Sequence, residues 1–515
     1  MIFYLDLPRS PHDVTISYDV KLLPGNNGRV LLACLRKRPW WHASAKAEAA
    51  TTDNELSVDL PSFVWEMYRN PKRYKDTTYC DVMLNHLEHN NCLVTKKGLY
   101  LSLKAYCSKN KDINLLNLIP RTYYLASGSK TSTESRSADM AEFLAFNDNP
   151  VMHGDTKSLI SNDVSRSSIA SISQKSTCSD SESELGCSLF DQILPKPPIK
   201  NYSDEVLGPE SVPELVWILK PASKTNRGFG IKVVRGVREV MDVVNRPDSS
   251  RKSKAKKSIK ESIRWKKDNP ETEDVSKSAV LTKAASRLGA QEGWIVQLYM
   301  DRPMLVSGRK FDIRCFVLVT NFPRQGLRAY FFKDCYVRTS SKKYSLTSLS
   351  DREAHLTNDA VQKNSKTYGK FEDGNKLSFE EWQETILKDY PHAPHNIVEG
   401  KFRPEIMRLS AISIAAGAED LGRTDINRSF ELLGYDYMVD DQFQATLIEI
   451  NSNPCLEFVC PLLVDIISSL IENVVKVALD TQLPPPMKGT RTAACEEAVT
   501  EIFQQETKFS QIYPY

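Results

Sequence analysis

No run of apolar residues in this chain is long enough to span a membrane. Its most hydrophobic late stretch, PLLVDIISSLIENVVKVAL at 461–479, is broken by Asp465, Glu472 and Lys476, which marks an amphipathic core helix. The opening residues, MIFYLDLPRSPHD, lack the basic start and apolar middle of a secretory leader. No G-x-x-x-x-G-K-[ST] occurs, which excludes a Walker-type phosphate loop. The 11 cysteines form no C-x-x-C pair and no His/Cys group at zinc spacing, so reduced thiols in a reducing compartment are expected. No internal repeat recurs at solenoid periods. An excess of one charge is missing too: 68 basic side chains stand against 65 acidic ones, so charge informs about partners only locally. What these absences leave is a soluble intracellular protein with length for roughly two to four domains.

What is present is uneven along the chain. Residues 1–125 have globular texture, with a strand-like RVLLACL at 29–35, a helix expected from Lys96 to Tyr106, and Trp40 and Trp41 expected in the core. Residues 126–210 are rich in serine, threonine and acidic side chains and poor in aromatics, so a largely disordered insert is predicted. A central domain is expected over 211–300, interrupted at 246–290 by a second insert. Within that insert 251–267 carries nine basic residues and one acidic. The most protein-like part, 301–482, reads as a C-terminal catalytic domain, followed by a proline-rich exit and a tail at 483–515.

Three segments carry chemistry. In RKFDIRCFVLV, 309–319, strand alternation puts Lys310, Asp312 and Arg314 on one face and Phe311, Ile313 and Cys315 on the other. Taken alone, that polar face reads as solvated. In FELLGYDYMVDDQFQATLIEIN, 430–451, two alternating stretches flank the turn pair Asp440-Asp441, which predicts a hairpin. Glu449 and Asn451 share a face of its second strand, and Asp436 can lie opposite them. The set is either a partial oxygen cage for Mg²⁺ or the wet side of a hairpin; the apolar neighbours Ile448 and Ile450 weigh for the cage. In WILKPASKTNRGFGIKVV, 217–234, two strands enclose a loop with Lys224, Arg227, Gly228 and Gly230. That loop is either a flap closing on phosphates or a plain glycine turn. GWIVQLYM, 293–300, ends a strand whose backbone can offer a purine edge one N–H and one C=O.

In this order, with the carboxylate hairpin last, the sequence resembles the tubulin–tyrosine ligase family. The resemblance covers about 212–245 and 293–480, and the N-terminal portion weakly. It is carried by K-P…R-G-x-G-I, V-Q-x-Y, R-K-F-D-I-R-x-x-V-L-V, V-R-T at 337–339, H-L-T-N at 355–358, Y-G-K-F-E-D-G-N at 368–375 and F-E-L-L-G-Y-D-Y-M-V-D…L-I-E-I-N-x-N-P. It implies an α/β chain of α+β type: an ATP-grasp catalytic body with a smaller N-terminal α/β domain and disordered inserts. It further implies that Lys220 holds nucleotide phosphates with Arg227 and Gly228 of the loop, that Gln297, Leu298 and Tyr299 receive the adenine, and that Lys310 and Asp312 meet the ribose region. Asp436, Glu449 and Asn451 would carry Mg²⁺. Arg314 and Arg338 would face the transferring phosphate and the substrate carboxylate, with Asn358 at the edge of the pocket and Lys96 a further phosphate ligand.

The reaction so implied is ATP-dependent amide ligation, in which a carboxylate attacks the γ-phosphate to give an acyl phosphate and an amine displaces phosphate. The expected partners are the acidic C-terminal tail of tubulin, microtubules and a free amino acid, with neither nucleic acid nor membrane. The expected place is the cytoplasm, on the cytoskeleton, cilium or flagellum included. H-L-T-N and Y-G-K-F-E-D-G-N favour tyrosine as the amino acid added. I-N-S-N-P-C-L-E-F departs from the ligase there, and the glutamate-adding and glycine-adding members share the ATP-binding residues. A catalytically silent microtubule scaffold, or a ligase acting on a small molecule or another acidic protein, are the other readings. The basic stretch 251–267 is either an attractor for an acidic tail or a solvated loop.

Overall fold

The computed structural model describes residues 16–22, 28–44, 60–126, 133–148, 214–222, 228, 230–245, 293–323, 325–423, 428–504 and 506–514. The chain forms two compact units, Met1–Met140 with Leu215–Tyr515, and Ala141–Glu214; the candidate site residues all belong to the first. Arg227, the basic stretch 251–267 and most of the serine-rich insert lie outside the described residues.

The strands in chain order are β1 Ile16–Val20, β2 Trp41–Ala43, β3 Phe63–Trp65, β4 Met83–Leu84, β5 Thr122–Ala126, β6 Val216–Pro221, β7 Lys232–Arg235 and β8 Gly293–Leu298. They continue as β9 Leu305–Val306, β10 Arg309–Phe322, β11 Gly326–Phe332, β12 Tyr336–Lys343, β13 Lys376–Ser378, β14 Ser429–Val439, β15 Ala445–Asn451 and β16 Phe509–Tyr513. Among the described residues they make two sheets. The larger runs β13-β12-β10-β14-β4-β3-β1-β2, with β9, β11, β15 and β16 paired along its side; the smaller is β5-β8-β6-β7. This is a mixed α/β architecture of the kind expected for an ATP-grasp body. No helix among the described residues is long and apolar enough to cross a membrane.

The centre is β10, 14 residues buried along their whole length. Such burial requires cover on both faces, so its pattern reads as continuous, not amphipathic. Phe311, Ile313, Cys315, Val317 and Val319 enter one core, which the helix Arg403–Gly422 also joins; Phe316, Leu318 and Phe322 enter a second with the helix Pro461–Val474. Trp40 and Trp41 lie in the second core, as the sequence suggested.

RVLLACL and the start of the serine-rich insert differ from expectation. RVLLACL is not a strand: Gly28–Arg36 is a helix that buries Leu31, Cys34 and Leu35, a spacing of three and four that fits the 3.6 period better than alternation. Strands of the N-terminal segment join both sheets: β4 pairs with β14 at Leu84–Ser429, and β5 pairs with β8 of the smaller sheet. The insert is helical over Thr133–Asp148, where buried Asp139 accepts from the Tyr124 amide at 2.8 Å and from Lys104 Nζ at 2.7 Å. The segment after 483 is folded, with a helix at Ala493–Gln504 and β16 pairing with β11. The amphipathic stretch at 461–479 is a helix, as expected, and its last turn, Val475–Leu479, widens to π geometry.

Candidate active site

Register assembles the site. β10 places Arg314 opposite Asp436 of β14 and Asp312 opposite Arg338 of β12, and β15 places Glu449 opposite Asp436. Lys310, Asp312 and Arg314 are all at most 7% exposed, so the polar face of β10 meets other charges and not water. Arg314 donates from Nε to Asp436 Oδ1 at 2.6 Å and from Nη2 to Oδ2 at 3.2 Å. Arg338 donates from Nε and Nη2 to the two oxygens of Asp312 at 2.6 and 2.7 Å, and its Nη2 is 3.0 Å from Asp436 Oδ2. Thr357 Oγ1 donates to Asp312 as well. Burial opposes ionisation of Asp436, but Arg314 and Arg338 hold its carboxyl at about 2. Burial likewise opposes charge on the two guanidiniums, and the facing carboxylates keep both protonated.

Across the hairpin, Asn451 Nδ2 lies 3.3 Å from Asp436 Oδ2 and 3.4 Å from Glu449 Oε1. The two carboxylates are therefore closer than the sum of those distances, inside the roughly 8 Å that one shared Mg²⁺ tolerates. Turned over, the amide of Asn451 presents its oxygen to the same point. Two carboxylates and an amide oxygen fit a hard divalent cation that keeps water and phosphate oxygens in its remaining positions. Among the described residues no three His, Cys, Asp or Glu side chains gather into a group that could hold a metal ion by themselves.

Cations crowd the same place. Lys96 starts the helix Lys96–Lys109, capped by Thr95, and its Nζ is 3.5 Å from Glu449 Oε2. Lys220, at the end of β6, donates to Gln297 Oε1 at 2.8 Å, and Gln297 donates to Thr122 Oγ1 at 2.9 Å. Lys310 donates to the Tyr299 hydroxyl at 2.9 Å. Lys96, Lys220, Gln297, Glu449 and Asn451 line one cavity. Burial pushes Lys220 down to about 8; burial and the charge of Lys220 push Lys310 down to about 7. Five basic side chains of this group face three carboxylates, and an anion bound among them would favour the charged forms of Lys220 and Lys310 that burial opposes.

Other predicted residues fall at the margin. Gly228 has φ +71° and Gly230 φ +75°, the left-handed region where glycine is at ease, and the Gly228 carbonyl accepts from Arg352 at 2.9 Å. Gly228 is thereby tied to the segment that holds Thr357 and Asn358. The Asn358 carbonyl caps the turn Asp359–Gln362. The backbone reading at Gln297–Tyr299 needs correction: β8 is paired on both sides, the Leu298 amide donates to Arg121 O and the Tyr299 amide to Val216 O. Neither amide is left for a purine, because the strand is interior to its sheet through Leu298. Sequence reasoning passed over Thr357, although it stands inside the quoted H-L-T-N, and the side chains of Tyr299 and His355.

A charged cleft on a mixed α/β body is the arrangement expected of an ATP-grasp fold. The profile of the Tubulin-tyrosine ligase family matches residues 199–489, more than half of the chain, and the chain belongs to that family. It is similar to Tubulin glycylase 3C of Tetrahymena thermophila, 28% identical over 301 residues, 58% of this chain and 23% of that protein. Tubulin glycylase 3D of the same organism is 34% identical over 189 residues, 36% of this chain and 18% of that protein. "Probable tubulin polyglutamylase TTLL9" of Rattus norvegicus is 29% identical over 248 residues, 47% of this chain and 49% of that protein. The chain spans about half or less of the length of these curated relatives.

Proposed function

We propose that this chain is an ATP-dependent ligase that joins an amino acid to tubulin, glycine before glutamate, on microtubules of the cytoplasm or cilium. The observation that carries the reading is the pair of buried lysines, Lys220 and Lys310, beside ion pairs that join Lys96, Arg314 and Arg338 to Asp312, Asp436 and Glu449, a set that suits a polyphosphate with its metal. The relatives bear on the amino acid: their names are those of glycylases and a polyglutamylase, which supports the alternative over tyrosine. A silent scaffold has no need of a buried Arg314–Asp436–Arg338–Asp312 network beside the Lys96–Glu449 pair.

Lys220, Lys310 and Lys96 would hold the phosphates, and Asp436, Glu449 and Asn451 would hold Mg²⁺. When bound, the ion would neutralise phosphate charge as it develops. Arg314 and Arg338 would stabilise charge on the transferring group and orient the tail carboxylate that becomes the acyl phosphate. The amine of the amino acid then forms the amide bond and phosphate leaves.

Incubation of the full chain with ATP, Mg²⁺, tubulin and isotope-labelled glycine, glutamate or tyrosine, read by mass spectrometry of the tails, tests the proposal. Labelled glycine or glutamate in the tails is expected. Incorporation of none of the three, with ATP binding intact, overturns it.

The two lysines give a further expected result. A lowered lysine pKa means that the charged form is lost as pH rises through about 7 for Lys310 and about 8 for Lys220. Bound phosphate favours the charged form, so nucleotide binding near pH 8 should take up about one to two protons. Calorimetry in buffers of different ionisation enthalpy measures this, and Lys310→Ala should lower the uptake and weaken binding.

A further inference from the structure

The hydroxyl of Tyr299 is held between two ionisable side chains. Lys310 Nζ donates to it at 2.9 Å and sits 4.3 Å from the ring centroid. On the other side Oη is 2.8 Å from His355 Nδ1, and His355 Nε2 is 2.9 Å from the carbonyl of Ser348. A carbonyl only accepts, so Nε2 carries the ring hydrogen. In the neutral ring Nδ1 is then an acceptor, the Tyr299 O–H donates to it, and the lone pairs of Oη are left for Lys310.

A second arrangement is available. Tyr344, whose hydroxyl donates to Asp301 O at 2.7 Å, also interacts with the Tyr299 hydroxyl. If His355 takes a second proton, Nδ1–H must donate to Oη, and the Tyr299 O–H turns to Tyr344. An imidazolium and an ammonium then face each other across one oxygen, and their like charges repel. The groups facing His355 are Tyr299 at the end of β8, Lys310 on β10, Tyr344 after β12, and Asp351 ahead of its own short helix Arg352–His355. Burial holds His355 below the usual histidine range, with the Ser348 hydrogen bond opposing and the charge of Lys310 assisting, so the neutral arrangement prevails at neutral pH.

We propose that His355 and Tyr299 are positioning residues that hold Lys310 toward the nucleotide, and that protonation of His355 releases it. This rests on the reading of Lys310 as a nucleotide ligand. It adds a proton-linked control of nucleotide affinity that reaches the site through the side chain next to Leu356-Thr357.

Binding of MgATP to the full chain, measured by calorimetry from pH 5.5 to 7.5 for wild type, His355→Asn and Tyr299→Phe, tests it. Asparagine keeps an acceptor near the Nδ1 position and cannot titrate. Over that range wild-type affinity is expected to fall further than that of His355→Asn, by less than about tenfold, since one linked proton changes affinity about tenfold per pH unit only below the pKa and that of His355 is lowered. Protonation of ATP is common to both proteins and cancels. Tyr299→Phe is expected to bind about tenfold more weakly at pH 7.5, with a shallower pH dependence. Nitrogen NMR of the wild-type histidines, which needs no variant to fold, should show His355 as the Nε2–H tautomer. An Nδ1–H tautomer, or a His355→Asn profile that follows wild type throughout, overturns the inference. Absence of MgATP binding by wild type at every pH overturns the nucleotide-site reading beneath it.

Discussion

Glu449→Gln is expected to reduce turnover by at least about 10³-fold while leaving the fold and most of the nucleotide affinity in place. Glu449 faces Asp436 across β14 and β15, and the amide of Asn451 lies within 3.4 Å of both. Glutamine keeps the shape and removes one of two anionic donors, so the divalent ion loses a charge it needs to displace water. The cost to folding should be small. The Glu449 side chain is 20% exposed and its ion contact is Lys96 at 3.5 Å, a geometry worth about 1 kcal/mol or less. ATP still has Lys220 and Lys310. The test has two parts: single-turnover formation of acyl phosphate at several Mg²⁺ concentrations, and thermal unfolding. Turnover within tenfold of wild type at low Mg²⁺ would remove Glu449 from the metal set. Partial recovery at high Mg²⁺ would separate weakened ion binding from a role in proton transfer.

Much of this site could be read from alternation alone, because strand register is a local property once partners are known. Lys310, Asp312 and Arg314 follow one another at every second position, and so do Glu449 and Asn451. The hairpin that pairs Asp436 with Glu449 was visible in its turn residues. What alternation could not supply was the solvent state of the polar face. A strand with charges on one side reads as wet, and β10 is dry on both faces because β12 and β14 bring Arg338 and Asp436 against it. Those contacts cross long stretches of chain, 122 residues for Arg314 with Asp436. The joining of the N-terminal strands to the main sheet was invisible for the same reason. Glu431 of β14, fully buried, is satisfied by His86, Asn90 and the Leu87 amide, and nothing near Glu431 in sequence announces that set. RVLLACL failed differently, since a nine-residue element is short enough for either period to fit, and packing decided.

Arg338→Ala should damage stability and chemistry together, and the two losses can be told apart. The guanidinium is 5% exposed and serves two carboxylates, Asp312 through two hydrogen bonds and Asp436 through one. Removing one partner of a buried pair leaves charge without compensation, a loss of about 3–5 kcal/mol. Asp312 retains Thr357, and Asp436 retains Arg314. Stability should also become less sensitive to acid. With its carboxyl held at about 2, Asp436 contributes stability that is complete above its unfolded value near 4 and is lost as pH falls toward 2. Without Arg338, burial gains on Arg314 and the folded value rises toward the unfolded one, so this contribution shrinks and less of it is left for acid to remove. Urea unfolding at pH 7 and pH 4 should show a smaller gap for the variant than for wild type. Asp312→Asn combined with Arg338→Ala should be less destabilised than the sum of the single changes, by about 1–3 kcal/mol, because each removes a charge the other leaves stranded. Arg338→Lys keeps the charge and gives up the fork, so it should recover part of the stability while turnover stays about 10²-fold down. If Arg338→Lys restores stability and turnover alike, Arg338 is a structural ion-pair partner and the reacting phosphate is met by Arg314 alone.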